Sequence, residues 1–129
     1  MGRSLNVLIC VTRQISCERL IRMGYDVSKK RGGKPHVIHV APIGENFLGN
    51  PKEGEALDYL FDISKQVGAE MTVLRSNEVV EVLTDFTQKH NIGILVLGES
   101  ANTQSGREGE IIKQLKRRLR DVEFIVVPA

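Results

Sequence analysis

Five short apolar runs, separated by segments with helical periodicity, constrain the fold of this chain more than any other feature. The runs cover residues 5–11, 35–41, 69–74, 92–98 and 123–127. Short and nearly continuous apolar runs are typical of strands that are covered on both faces. Strands that alternate with single helices need right-handed crossovers onto a parallel sheet. The order βαβαβαβαβ therefore predicts an α/β fold with helices on both faces of one parallel sheet.

Polar residues and glycines predict where the helices begin and end. Ser16 and Asn77 are placed as N-caps of the first and third helices, because their side chains can accept backbone N–H bonds there. Gly68 is placed at the end of the second helix. Met23 in the first helix and Phe61 in the second recur at helical spacing, and both are expected on the buried face.

Length and composition favour one ordinary globular domain spanning residues 1–129. With 129 residues, 41% hydrophobic and 26% charged, the chain is large enough for one core. A formal charge of +2 gives no global attraction to nucleic acid or membranes. The apolar runs are far shorter than the ~20 residues of a membrane span, and no secretory signal is visible at the N-terminus. A cytoplasmic location is therefore expected, without membrane insertion.

Charge is unevenly distributed along the chain. Residues 106–120 carry six basic and two acidic side chains, whereas residues 45–62 carry five acidic side chains and one Lys. The favoured interpretation of both segments is a solvated surface, and the alternative is a docking site for an oppositely charged partner. No aromatic residue interleaves with the basic cluster, so a nucleic-acid partner is not predicted.

The cysteines and histidines show no spacing typical of a metal or redox site. Cys10 lies in the first apolar run and is expected in the core. Cys17 lies at a helix start, where a lowered thiol pKa is the alternative, and a core or bystander residue is the favoured interpretation. His39 alternates with apolar residues and is expected to be a hydrogen-bonded core residue. No Ser, His and Asp arrangement can be placed, so the sequence gives no positive evidence for an enzyme.

Several segments resemble the universal stress protein family, in order over nearly the whole chain. They are residues 6–12, residues 94–98, and residues 109–112 together with 124–128. Residues 9–12 and 16–22 look most similar to the universal stress protein-like domain of KdpD-type sensor histidine kinases. The resemblance implies a single Rossmann-like domain of the adenine nucleotide alpha hydrolase-like type, with five parallel strands in the order 3-2-1-4-5. It also implies a homodimer through the last strand and a role in stress response or signal transduction.

Members of this family that bind ATP have an acidic residue after the first strand and a glycine signature after the fourth. Here Thr12 or Arg13 occupies the acidic position, and neither can accept ribose hydroxyl hydrogens as a carboxylate does. Gly109 matches the glycine that opens the last helix, but Glu110 follows it instead of Ser or Thr. A carboxylate at that point repels phosphate. These departures weigh against ATP binding of the standard kind.

The leading hypothesis is a regulatory or sensing module with a nucleotide at the carboxyl ends of the strands, where ligands bind in such sheets. The ligands considered are ATP, AMP and a cyclic dinucleotide. The alternative is a protein-interaction or dimerisation module without a ligand, as in a sensor kinase input domain, with a kinase or transporter as partner. A weak hydrolase ranks third. The candidate ligand contacts are Thr12, Arg13, Gln14, Ser16, Val40, Gly98, Ser100, Arg107 and Gly109.

Overall fold

The computed structural model describes residues 4–98 and 107–128 as five strands that alternate with four helices. The strands are β1 (Asn6–Cys10), β2 (Pro35–Ala41), β3 (Glu70–Arg75), β4 (Ile92–Gly98) and β5 (Glu123–Val127). The helices are α1 (Gln14–Arg31), α2 (Glu53–Gln66), α3 (Val79–Lys89) and α4 (Arg107–Arg118), and a 3-10 turn covers Phe47–Gly49 between β2 and α2. The bounds predicted for β2, β4 and β5 are confirmed.

All five strands form one parallel sheet in the order β3-β2-β1-β4-β5. The predicted fold class is confirmed. β1 is the central strand, and Val7, Leu8 and Ile9 within it have no exposed surface. Burial of both faces explains why the strands are apolar runs instead of alternating patterns.

Each face of the sheet packs against one pair of helices. On the first face, Ile9 and Val96 of the sheet pack with Ile21 of α1 and Leu60 of α2. On the second face, Leu95 packs with side chains of α3 and α4. The strands are thus held between two apolar layers, which fixes where their ends lie.

Close backbone contact explains one of the two glycines that follow α1. Gly32 has φ 81°, the left-handed conformation that ends helices, and its N–H donates to the Ser28 carbonyl. Gly33 lies against β1, because a Cβ built on it would be 1.8 Å from the Leu5 carbonyl oxygen. Gly32 is therefore needed for its left-handed conformation, and Gly33 is needed because a side chain would not fit there.

Both predicted N-caps are wrong. Ser16 lies inside the first turn of α1, and its hydroxyl donates to the Arg13 carbonyl at 3.4 Å. Asn77 lies two residues before α3, and its Oδ1 accepts the backbone N–H of Ile43 at 2.9 Å. The Asn77 oxygen that was expected to cap the helix is instead bonded to a residue 34 positions away in the sequence.

Two apolar side chains that were expected in the core are exposed. Met23 of α1 retains 41% of its surface and Phe61 of α2 retains 52%. Both have helical spacing to core residues but lie at the border of the buried stripe. Within the two described stretches, no helix combines the length and the apolar character needed to cross a membrane.

Candidate functional site

The carboxyl ends of β1 and β4 lie side by side in the middle of the sheet. Cys10 is paired with Leu97, so Thr12 and Gly98 follow on neighbouring strands. From β1 the chain proceeds outward to β2 and β3, and it then returns to the opposite side of β1 as β4. This is the position at which strand order reverses and where open α/β sheets bind ligands. We call the carboxyl ends of β1, β2 and β4, together with residues 12–16, the rim.

Val40 can contribute to the rim only through its backbone. Its side chain is 9% exposed and packs in the core beside α3. The Ile38 carbonyl accepts the Val11 N–H at 3.0 Å. Because backbone groups two residues apart in a strand point the same way, the N–H and C=O of Val40 point past the end of β1. A donor and an acceptor are thereby directed toward the rim.

The N-terminus of α1 opens onto the rim and is free of acidic side chains. Arg13 is the N-cap in extended conformation, without a side-chain cap, and the first turn has no Asp or Glu. By contrast, the first turns of α2 and α3 contain Glu53 and Glu81. The unpaired N–H groups of a helix start attract anions. Thr12 and Arg13 are exposed beside these groups.

Gly98 ends β4 in close contact with α1. A Cβ at this position would be 3.1 Å from Cδ1 of Leu20, so a side chain here would press on the first core layer. Gly98 is only half-buried. Its backbone therefore remains accessible from the rim.

Some of the nine predicted ligand contacts lie together at the rim, and one lies outside the described residues. Thr12, Arg13, the start of α1, Val40 and Gly98 share the rim. Ser100 lies outside the described residues. Arg107 and Gly109 are in the first turn of α4. The exposed side chain of Glu110 follows in the same turn.

A buried imidazole connects the rim to the segment between β2 and α2. Nδ1 of His39 lies 2.9 Å from the Val11 carbonyl oxygen, and Nε2 accepts the Leu48 N–H at 2.9 Å. A carbonyl can only accept and an amide N–H can only donate, so the ring carries its proton on Nδ1. His39 is 3% exposed, which confirms the prediction of a hydrogen-bonded core histidine.

Arg75 holds the same segment from β3. Its Nη1 donates to the Glu45 carbonyl at 2.8 Å, and its Nη2 donates to Oε2 of Glu53. The guanidinium also lies 4.0 Å from the centre of the Phe47 ring. Oε2 of Glu53 accepts the Phe47 N–H at 2.9 Å. We call His39, Arg75 and Glu53 the clasp, since they hold residues 45–48 over the ends of β1, β2 and β3.

Leu48 is the apolar part of this arrangement. It is 3% exposed and packs in the first core layer, although its φ is 55°. A left-handed conformation is costly for a bulky residue, so burial and the bond to His39 must offset it. No sequence pattern indicates the clasp, because Arg75 and Glu53 are 22 residues apart and belong to different elements.

Three clasp and core groups have shifted pKa values with clear causes. Burial lowers the pKa of His39, and the nearby charge of Arg75 lowers it further, against the opposing effect of the Val11 carbonyl. The Phe47 N–H and the Arg75 guanidinium lower the pKa of Glu53. Cys17 has no exposed surface, so the core interpretation of this residue is correct, and burial raises the pKa of its thiol to about 12.

Comparisons with known proteins agree with this architecture. No protein-family model matches the chain. A universal stress protein solved in complex with cAMP is 16% identical, with a TM-score of 0.69 and 98% of each chain covered. The chain has the universal stress protein fold. A universal stress protein from Archaeoglobus fulgidus in complex with dAMP is 18% identical, with a TM-score of 0.56 over 99% of this chain and 98% of that one.

A curated relative supports the second part of the predicted resemblance. Sensor protein KdpD of Escherichia coli (strain K12) is 22% identical over 121 residues, which cover 94% of this chain. The chain spans 13% of the length of that protein. The resemblance to universal stress proteins and to this sensor is therefore confirmed.

Proposed function

We propose that residues 1–129 form a regulatory module with the universal stress protein fold that binds an adenine mononucleotide at the rim. The observation that carries the proposal is the reversal of strand order between β1 and β4, with Thr12 and Gly98 on the two sides. Structural neighbours in complex with cAMP and dAMP support this ligand class. Both nucleotides contain one adenine and one phosphate.

The rim offers different chemistry to the two parts of such a ligand. The N–H and C=O of Val40 suit a base edge, which has both acceptors and donors. The open first turn of α1 and the Arg13 guanidinium suit one phosphate. Thr12 can donate to or accept from a ribose hydroxyl. Gln14, Ser16, Gly98, Ser100, Arg107 and Gly109 complete the proposed contact set.

A single phosphate fits this arrangement better than a triphosphate. The first turn of α4 contains Glu110, whose exposed carboxylate opposes a second or third phosphate there. AMP, cAMP and dAMP should therefore bind more tightly than ATP. A cyclic dinucleotide is the further candidate that the titration includes.

Calorimetric titration with AMP, cAMP, dAMP, ATP and cyclic di-AMP tests the proposal. We expect saturable heat for a mononucleotide at concentrations up to about 1 mM and weaker binding of ATP. Arg13→Ala should weaken mononucleotide binding about tenfold. Arg19→Ala is the matched control, because Arg19 is an exposed arginine farther along α1. Flat heats for every nucleotide would overturn the proposal and leave the protein-interaction module. Equal affinities of the two variants would overturn the placement of the phosphate beside Arg13.

The predicted homodimer through the last strand stays a prediction, as do a kinase or transporter partner and the cytoplasmic location. β5 is at the edge of the sheet, and Phe124, Ile125 and Val126 in it are only half-buried. Sedimentation of the purified chain, with Ile125→Asp as the variant, would test the dimer independently of nucleotide binding.

A further inference from the structure

A paired ion bridge brings two basic helix ends to the same end of the molecule. Arg31, the last residue of α1, donates from Nη1 and Nη2 to the two carboxylate oxygens of Glu123 at 3.0 and 2.8 Å. Glu123 opens β5, directly after α4 and its connecting turn. The bridge joins residues 92 positions apart, so this neighbourhood is invisible in the sequence.

Nine exposed cations lie on the two joined segments, residues 29–34 and 113–123. They are half of the 18 basic residues of the chain, and Asp121 and Glu123 are the acidic residues of these segments. The local charge is thus +7 on a chain whose formal charge is +2. We call this surface the basic end. It comprises Lys29, Lys30, Arg31, Lys34, Lys113, Lys116, Arg117, Arg118 and Arg120.

Stabilisation of helix C-termini does not account for this number of charges. Cations in the last turn of a helix interact favourably with the helix dipole. Each of α2 and α3 has one such residue, Lys65 and Lys89. The last turns of α1 and α4 have three each, and Lys34 and Arg120 lie beyond the helices. The excess is confined to the two helices that the Arg31–Glu123 bridge brings together.

Among the described residues of this end, few exposed side chains could stack on unpaired bases or insert into lipid. Of the aromatic rings at this end, Tyr25 has the Lys29 ammonium 5.4 Å from its centre and Phe124 has that of Lys116 at 5.9 Å. Both rings are half-buried and therefore poorly placed to stack on bases. Leu5, at 41% exposure, precedes β1 at this end, and one leucine is little apolar surface for insertion into lipid.

We propose that the basic end is a docking surface for an acidic polypeptide segment, rich in Asp and Glu, of a partner protein. Charge complementarity carries the inference. Arg117, Arg118 and Arg120 supply planar guanidinium groups, which pair with carboxylates through two bonds in the way that Arg31 pairs with Glu123. The surface is at the amino ends of the strands, opposite the rim. It goes beyond the nucleotide site and does not depend on it.

Binding of a fluorescent peptide of about 20 glutamates, followed by anisotropy, tests the inference with the full chain. The variant Lys30→Glu/Lys34→Glu/Lys113→Glu reverses three charges of the basic end. The matched control is Lys52→Glu/Lys65→Glu/Lys89→Glu, which makes the same charge change at three exposed lysines that are not part of the basic end. We expect the first variant to lose affinity about tenfold or more and the control to change far less.

Four results would overturn the inference. The first is absence of peptide binding at low salt, and the second is an equal loss of affinity in both triple variants. The third is tighter binding of phosphatidylserine vesicles or of a DNA oligonucleotide, with the same dependence on the basic end. The fourth is self-association that the basic-end variant abolishes, because a second copy would then be the partner. Nucleotide titration of the same variants separates this test from the proposed function, since the basic-end variant should bind nucleotide normally.

Discussion

Nε2 of His39 accepts the backbone N–H of Leu48, and this bond fixes a strained, buried residue beside the candidate ligand site. Nδ1 of the same ring reaches the carbonyl of Val11, the residue before Thr12. One side chain therefore positions both the end of β1 and the segment after β2. The stability of the rim should depend on this ring more than on any exposed residue near it.

Replacement of His39 by Ala should destabilise the protein by about 2–4 kcal/mol. The change leaves a buried N–H and a buried C=O without their partner and opens a cavity between Val11 and Leu48. Urea denaturation measures the effect. His90→Ala is the control, because His90 is exposed, and its loss should cost less than about 1 kcal/mol. Equal losses in the two variants would contradict the role of His39.

A fall in pH below about 6.5 should weaken the fold through His39. The pKa of His39 is lowered by burial and by Arg75, so its neutral form is favoured in the folded state. The unfolded chain therefore binds more protons below its histidine pKa of about 6.5. Stability should be full above this pH and fall as the pH drops toward the folded-state pKa. Urea midpoints from pH 7.5 to 5.5 should fall less steeply for His39→Gln, and an equal slope would refute the assignment.

Glu53→Gln should loosen the segment that the clasp holds. The neutral amide keeps the shape but loses the ion pair with Arg75 and accepts the Phe47 N–H more weakly. Hydrogen exchange at the amides of Phe47 and Leu48 should accelerate, while exchange in β1 stays unchanged. Glu55→Gln is the matched control, since Glu55 is an exposed glutamate of the same helical turn. Similar acceleration in both variants would show that the clasp is not responsible.

Two Gly→Ala changes should shift the free energy of unfolding in opposite directions. Gly33→Ala places a Cβ 1.8 Å from the Leu5 carbonyl oxygen, so β1 or the turn must move, at a cost of about 1–3 kcal/mol. Gly54→Ala meets nothing within 4 Å in the first turn of α2 and should stabilise by about 0.5–1 kcal/mol. Thermal denaturation of both variants measures these changes. An unchanged melting temperature for Gly33→Ala would disprove the close contact.

Both thiols should be inert in the folded protein. Burial raises the pKa of Cys10 and of Cys17 to about 12, and the Glu18 carboxylate adds to the shift at Cys17. Thiolate, the reactive form, is therefore scarce near neutral pH. A disulfide reagent at pH 8 should modify neither residue until urea is added, and should then modify both at once. Fast labelling of Cys17 in the native protein would contradict this.

Sequence reasoning found the strands because burial on both faces leaves an unbroken apolar run, as in Ile92–Gly98. It failed where a side chain has its hydrogen-bond partner far away in the sequence. Asn77 bonds Ile43 instead of capping α3, and Arg75 finds Glu53 across the end of the sheet. Val40 stays a predicted contact, and only the register of β1 and β2 shows that its backbone, not its side chain, faces the rim.

β1 also sets the distance between the candidate nucleotide site at the rim and the cations of the basic end. Its five residues span about 17 Å between the rim and the basic end. The Debye length at physiological salt is about 8 Å, so the charge of a phosphate at one end is screened before it reaches the cations at the other. In dilute buffer, where the Debye length approaches 30 Å, the two ends would sense each other. Any mutual influence of ligand and partner that persists in physiological salt would have to be mechanical.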